Sequence, residues 1–231
     1  MLEAKAEVNP AFRREGGSQV ELCPTCGAAM PEGFRFCGQC GRALAATLAP
    51  APGDLVTIVF TDLEGYTSFA SRVDQEVVRE LIQAYHGLVR EQIGQHGGFE
   101  VKQTGDGFMI AFSSAARAVR CAAEIQRAAL AHESVHLGQR LGVSVGLNSG
   151  DAIREGDDFF GHTVNIASRI AGRASGGQIL ASEATRVLAG RVDGVRFADI
   201  GRRQLRGVRG RQRIFEVAWR PPRADGESCR S

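Results

Sequence analysis

Leu55 to Phe60 (LVTIVF) is an unbroken β-branched and apolar run between Pro52-Gly53-Asp54 and Glu64-Gly65. That pattern predicts a central strand covered on both faces, with Asp62 just past its end. From Asp74 to Ile93 the positions Val77, Val78, Leu81, Ile82, Tyr85, Leu88, Val89 and Ile93 form the stripe of an amphipathic helix, which Gly97-Gly98 ends. Val101 to Phe112 (VKQTGDGFMIAF) predicts a tight hairpin, because Gly105-Asp106-Gly107 supplies the φ > 0 positions a short turn needs. A second helix, opened by Ser113 or Ser114, runs from Ala115 to about Ala131, and a strand from Leu141 to Asn148 follows. The order β-α-β-β-α-β is the split ferredoxin-like pattern, an α+β fold whose sheet carries its helices on one face. A helix over 161–174, a strand over 178–181, a helix over 182–189 and a closing strand over 214–219 complete the expectation.

Outside this core the patterning fades. Residues 1–20 are polar and without period and read as a disordered head, and the Ala/Pro-rich stretch 44–53 reads as a linker. The main domain is thereby placed at 54–219, with a disordered tail over 220–231 (PPRADGESCRS from Pro221).

Composition narrows the classes. With 231 residues, 43% of them hydrophobic, the chain can bury one medium-sized core plus a small appendage. Its 28 basic and 26 acidic residues give a net charge of +2, so any anion binding must be local and nucleic acid is an unpromising partner. No apolar run approaches the roughly 18 residues of a membrane span, and the N-terminus lacks the apolar core of a signal peptide. The expectation is a soluble cytoplasmic protein.

Four of the six cysteines fall in two pairs, Cys23-Pro-Thr-Cys26-Gly and Cys37-Gly-Gln-Cys40-Gly. Each pair lets two thiolates converge on one ion, and four thiolates complete a closed tetrahedral Zn²⁺ shell of the structural kind. A segment this short has little core, so the metal would supply most of its folding free energy. Residues 21–43 therefore read as a zinc ribbon, whose role is either binding a protein partner or capping.

The strand and the hairpin raise the first chemistry. If they lie side by side, Asp62 and Asp106 meet at a strand end and a turn, an arrangement able to hold a pair of divalent cations against a polyphosphate. The alternative is that both are ordinary turn aspartates.

Three segments in order, Phe60-Thr-Asp-Leu-Glu-Gly-Tyr-Thr67, Lys102-Gln-Thr-Gly-Asp106 and Asp158-Phe-Phe-Gly-His-Thr-Val-Asn165-Ile-Ala-Ser-Arg169, resemble the catalytic domain of the class III nucleotidyl cyclases, the adenylate and guanylate cyclases. The resemblance spans Asp54 to about Trp219 and implies the βαββαβ core of that family behind the small zinc ribbon. It implies attack of a ribose 3′-oxygen on the α-phosphate of a nucleoside triphosphate, with release of pyrophosphate. Asp62 and Asp106 match the carboxylates that bind two Mg²⁺ or Mn²⁺ ions. Lys102 and Asp158 match the pair that reads the purine, and a lysine with an aspartate complements the N1 acceptor and N6 donor of adenine, so ATP is the expected substrate.

Asn165 matches the residue that orients the ribose. Arg169, four positions on and hence on the same helix face, matches the arginine that stabilises charge on the α-phosphate. Arg206 falls where the family places a basic residue on the β and γ phosphates, although its neighbours Arg202, Arg203, Arg209, Arg211 and Arg213 equally suit a solvated basic loop. The family's active site is shared across a head-to-tail dimer, one subunit giving the metal aspartates and the other the remaining groups. All the positions are filled here, so a homodimer is expected. The alternative is a weakly active or inactive nucleotide-binding regulatory module that acts through its zinc ribbon.

Overall fold

The computed structural model describes residues 12–15, 18–22, 28–31, 50–51, 53–66, 70–135 and 142–220, and the chain divides into two units, 1–47 and 48–231. In the first, strand β1 (Phe12–Glu15) pairs antiparallel with β2 (Ser18–Leu22), and β2 with β3 (Ala29–Pro31). These strands fall partly within residues 1–20, read from the sequence as a disordered head. Glu15 stands opposite Ser18; the two runs are too short and polar to announce themselves by periodicity. Cys23, Cys26, Cys37 and Cys40 lie outside the described residues, as do 32–49 of the ribbon and linker and the tail from 221.

The second unit opens with β4 (Leu55–Leu63), followed by α1 (Gln75–His96), β5 (Phe99–Thr104), β6 (Gly107–Phe112), α2 (Ala115–Val135) and β7 (Val143–Asp151). These are the six elements of the expected core. After them come β8 (Ile153–Glu155), β9 (Asp158–Phe160), α3 (His162–Ala171), β10 (Ile179–Ser182), α4 (Glu183–Ala189), β11 (Arg196–Gln204) and β12 (Arg211–Ala218). Seven strands form one sheet in the order β11-β12-β10-β7-β4-β6-β5, in which β10 and β7 are parallel and the other pairs antiparallel. Strand β4 is central because both its faces are apolar. Val59 and Leu63 join Phe108, Ile110 and Phe112 against α1 and α2, while Ile58 joins Met109 and Ala111 on the opposite face, against Ala167 of α3.

Helices therefore lie on both faces. The βαββαβ core keeps α1 and α2 on one, as expected, and α3 with the β8–β9 hairpin covers the other. The β8–β9 hairpin and β11 were not foreseen. Strand β11 is an edge strand whose residues are mostly exposed, with a register shift between Asp199 and Arg202, so it carries no alternating apolar signal.

One glycine fixes the placing of α3. A Cβ on Gly146 of β7 would stand 2.1 Å from the Ala171 nitrogen, so only glycine lets the end of α3 lie directly on the sheet. Ile166 and Ile170 of the same helix are buried with Leu180, Leu205, Val208 and Ile214. Burying each such side chain contributes roughly 1.5–3 kcal/mol, and together they leave Asn165 and Arg169 on the exposed side of the helix.

Candidate active site

Antiparallel pairing of β4 with β6 places Thr61 opposite Phe108, so the end of β4 meets the β5–β6 turn. Gly105 turns the chain with φ +63, and a Cβ on Gly107 would stand 2.6 Å from the Thr61 carbonyl oxygen, so the turn reaches β4 only because glycine sits there. The result is that Asp62 and Asp106 line one cavity, near enough for the Asp106 charge to act on the Asp62 carboxyl. The walls around the Asp62 carboxyl exclude enough water to raise its pKa, and the Asp106 charge raises it further, against the Leu63 backbone N–H, which lowers it. Both aspartates line a cavity of about 370 Å³ with Glu64, Tyr66, Ser144 and Ala171. Glu64 is a third carboxylate at this mouth that the sequence reading did not single out.

The pair can be tested for its fit to a metal. Two hard carboxylate oxygens held together at the cost of mutual repulsion, beside an open cavity, suit Mg²⁺ or Mn²⁺, which complete their shells with water and phosphate oxygens. Among the described residues no group of three or more His, Cys, Asp or Glu side chains forms a denser site.

Lys102 lies on β5 opposite Met109, and its Nζ donates to Asp158 Oδ1 at 2.8 Å and Oδ2 at 2.6 Å. The Phe159 N–H donates to Asp158 Oδ1 at 2.8 Å, and the ammonium stands 5.6 Å from the Phe160 ring centroid. Hydrogen bonding from Lys102 holds the Asp158 carboxyl below the usual carboxylate range. The β8–β9 hairpin makes this possible: Glu155 opposite Asp158 fixes the register that presents the carboxylate to β5. Phe160, which carries the aromatic face beneath the lysine, was also missed in the sequence, where Phe159-Phe160 looks like any apolar pair.

Asn165 and Arg169 are both exposed on α3, and among the described residues neither side chain has a hydrogen-bond or ion-pair partner. Arg206 is exposed in the β11–β12 connection, which its flanking residues Leu205 and Val208 pin to Ile166 and Ile170 of α3. Of its basic neighbours, Arg213 is committed elsewhere, to Asp199 at 2.7 Å and Glu183 at 3.1 Å. The fold thus makes three local groupings: Asp62 with Asp106, Lys102 with Asp158, and Asn165 with Arg169 on the helix that anchors the Arg206 loop. The cavity of the first grouping is lined by none of the residues of the other two.

A model of the adenylate and guanylate cyclase catalytic domain matches residues 48–218, and a zinc-ribbon model matches residues 22–44. Receptor-type adenylate cyclase A of Leishmania donovani is 30% identical over 219 residues, covering 76% of this chain and 16% of its own length, so the chain spans a small part of that relative. Among solved structures, an adenylate cyclase from Trypanosoma brucei in its monomeric state is 25% identical with a TM-score of 0.67, covering 74% of this chain and 92% of that one. An adenylate/guanylate cyclase/hydrolase from Silicibacter pomeroyi is 30% identical with a TM-score of 0.62, over 71% and 96% of the two chains. No described helix is long and apolar enough to cross a membrane.

Proposed function

The chain belongs to the adenylate and guanylate cyclase catalytic domain family, and we propose that it is an adenylate cyclase, converting ATP to 3′,5′-cyclic AMP and pyrophosphate at sites shared across a head-to-tail homodimer. The observation that carries this reading is the convergence of Asp62 and Asp106, two carboxylates on separate elements held together at one end of the sheet. Their role is to bind two Mg²⁺ or Mn²⁺ ions. When bound, such ions lower the pKa of the attacking 3′-hydroxyl and offset the charge of the triphosphate.

The other residues bind and orient. Lys102 donates to adenine N1 and Asp158 accepts from the N6 amino group; guanine presents an acceptor and an N–H at those positions and meets the wrong partners. Asn165 orients the ribose. Arg169, without a hydrogen-bond or ion-pair partner among the described residues, offers its fixed fork of donors to the charge that builds on the α-phosphate. Arg206 takes the β and γ phosphates, as arginine rather than lysine through paired donors. No side chain is assigned as general base.

A second chain accords with the cavity, whose described lining includes Asp62 and Asp106 and none of the other five residues. In the head-to-tail arrangement one subunit supplies the aspartates and its partner supplies the rest. Cys23, Cys26, Cys37 and Cys40 hold one structural Zn²⁺ in the ribbon, whose role is to bind a protein partner. The test is Asp106→Ala: cyclic AMP formation should disappear while the unfolding midpoint is retained, and persistent activity contradicts the metal assignment.

A further inference from the structure

Strands β7 and β10 form the parallel pair of the sheet, and open sheets commonly take ligands outside the carboxyl ends of such strands. At that end lies a crevice of about 690 Å³ bounded by α3, α4, β11 and β12, a volume suited to a small molecule. Asp62 stands opposite Ser144 of β7, whereas the crevice is lined by Ser149, roughly 17 Å further along the strand. None of the residues assigned to metal or nucleotide lines it.

Its floor is polar and already ordered. Asn148 Nδ2 donates to the Thr163 carbonyl at 3.0 Å, and the hydroxyls of Ser149, Thr185 and Ser182 are linked at 3.0 and 3.1 Å. These side chains are almost wholly buried. One wall is apolar and open: Val187 and Leu188 of α4 line the crevice while 62% and 49% exposed.

The β11–β12 ladder contributes guanidinium groups. Arg202 stands directly opposite Arg213, and Arg211, two residues before Arg213, shares its face of β12. Like charges in that relation destabilise a ladder. Arg213 is paired with Asp199 and with Glu183, the one acid in the crevice lining. Arg202 and Arg211 also line the crevice, and among the described residues neither has a hydrogen-bond or ion-pair partner. Two unpaired guanidiniums beside an apolar wall complement a ligand with a doubly charged head and an apolar body.

We propose that this crevice binds a small organic phosphate, with Arg202 and Arg211 holding the phosphate and Val187 and Leu188 covering the apolar body. The site goes beyond the cyclase reading and does not depend on it. Thr163 and Ile166 of α3 line it too, so an occupant touches the helix that carries Asn165 and Arg169.

The test is calorimetric titration of the full zinc-loaded chain with phenyl phosphate, free of nucleotide, Mg²⁺ and Mn²⁺. Arg202→Gln with Arg211→Gln should weaken binding by about tenfold to a hundredfold, the worth of lost charge-assisted hydrogen bonds. Its unfolding midpoint should be no lower than wild type, because the change also removes the repulsion between Arg202 and Arg213. Leu188→Ser should weaken binding about threefold or more, and inorganic phosphate should bind about tenfold more weakly than phenyl phosphate. Arg203→Gln, on the other face of β11, should stay within about twofold of wild type, as should Arg169→Gln with Arg206→Gln. Wild type that binds no phenyl phosphate at about 10 mM overturns the proposal. Binding unchanged by Arg202→Gln with Arg211→Gln does the same, as does equal affinity for the two phosphates. A loss confined to Arg169→Gln with Arg206→Gln also overturns it, placing the ligand on the groups assigned to ATP.

Discussion

Lys102 Nζ stands 2.8 and 2.6 Å from the two carboxylate oxygens of Asp158, so the residues assigned to the purine already hold each other. Such a half-exposed pair is worth only about 0–1 kcal/mol, and each partner can turn to a base edge at little cost. The mutual contact keeps Asp158 ionised and both groups aimed at one point. Exchanging them, as Lys102→Glu with Asp158→Cys, should lower kcat/KM for ATP by about a hundredfold or more, because a site built for polar contacts rejects a mismatched edge strongly. The same variant should gain GTP turnover. Kinetics with the two nucleotides supplied separately check both.

Among the described residues Arg169 is exposed and has no hydrogen-bond or ion-pair partner. Arg169→Ala should therefore leave the urea midpoint within about 0.5 kcal/mol of wild type while lowering kcat by about 10²–10³-fold, the cost of removing one donor to developing charge. A parallel loss of stability and rate contradicts the assignment.

The Asp62 carboxyl is held above its ordinary value of 3.8 by burial and by the Asp106 charge. The native state thus binds this proton more tightly than the unfolded chain. Its contribution to stability is complete below 3.8 and is lost as pH rises through the higher native value. Asp62→Asn removes that loss, so without added Mg²⁺ or Mn²⁺ the variant should be more stable than wild type at neutral pH, and the gain should be larger at about pH 7 than at about pH 3, below the ordinary carboxylate value. It should also be inactive, a gain of stability at the expense of function. Denaturation curves at the two pH values measure it.

A shared site predicts complementation. Asp106→Ala and Arg169→Ala homodimers each lack one required group at both sites, whereas a mixed head-to-tail dimer retains one intact site. Mixing equal amounts of the two inactive proteins should restore about a quarter of wild-type specific activity, from random assortment of subunits. Absence of any recovery, with subunit exchange demonstrated, contradicts the two-chain site.

Where the sequence was informative, local chemistry and tertiary role agreed. Strand β4 is apolar on both sides because it is buried on both sides, and the Gly-Asp-Gly turn needs positive φ whatever surrounds it. Legibility failed where structure depends on partners distant in sequence. Among the described strands β11 pairs only with β12, its exposed arginines giving no period, and β8–β9 is two three-residue strands around Gly156-Asp157. Reading Arg202 to Gln204 as loop followed from the first failure. Phe160 beneath Lys102 was invisible for the same reason: it matters through a contact that only the folded chain creates.

The most direct measurement is cyclic nucleotide production by the purified full chain, with ATP or GTP as sole nucleotide and Mg²⁺ or Mn²⁺ as metal. Cyclic AMP from ATP alone, with specific activity rising with protein concentration in the dilute range, is the predicted result. A folded, zinc-loaded dimer that yields no cyclic AMP with either metal, or that makes cyclic GMP as readily, contradicts it.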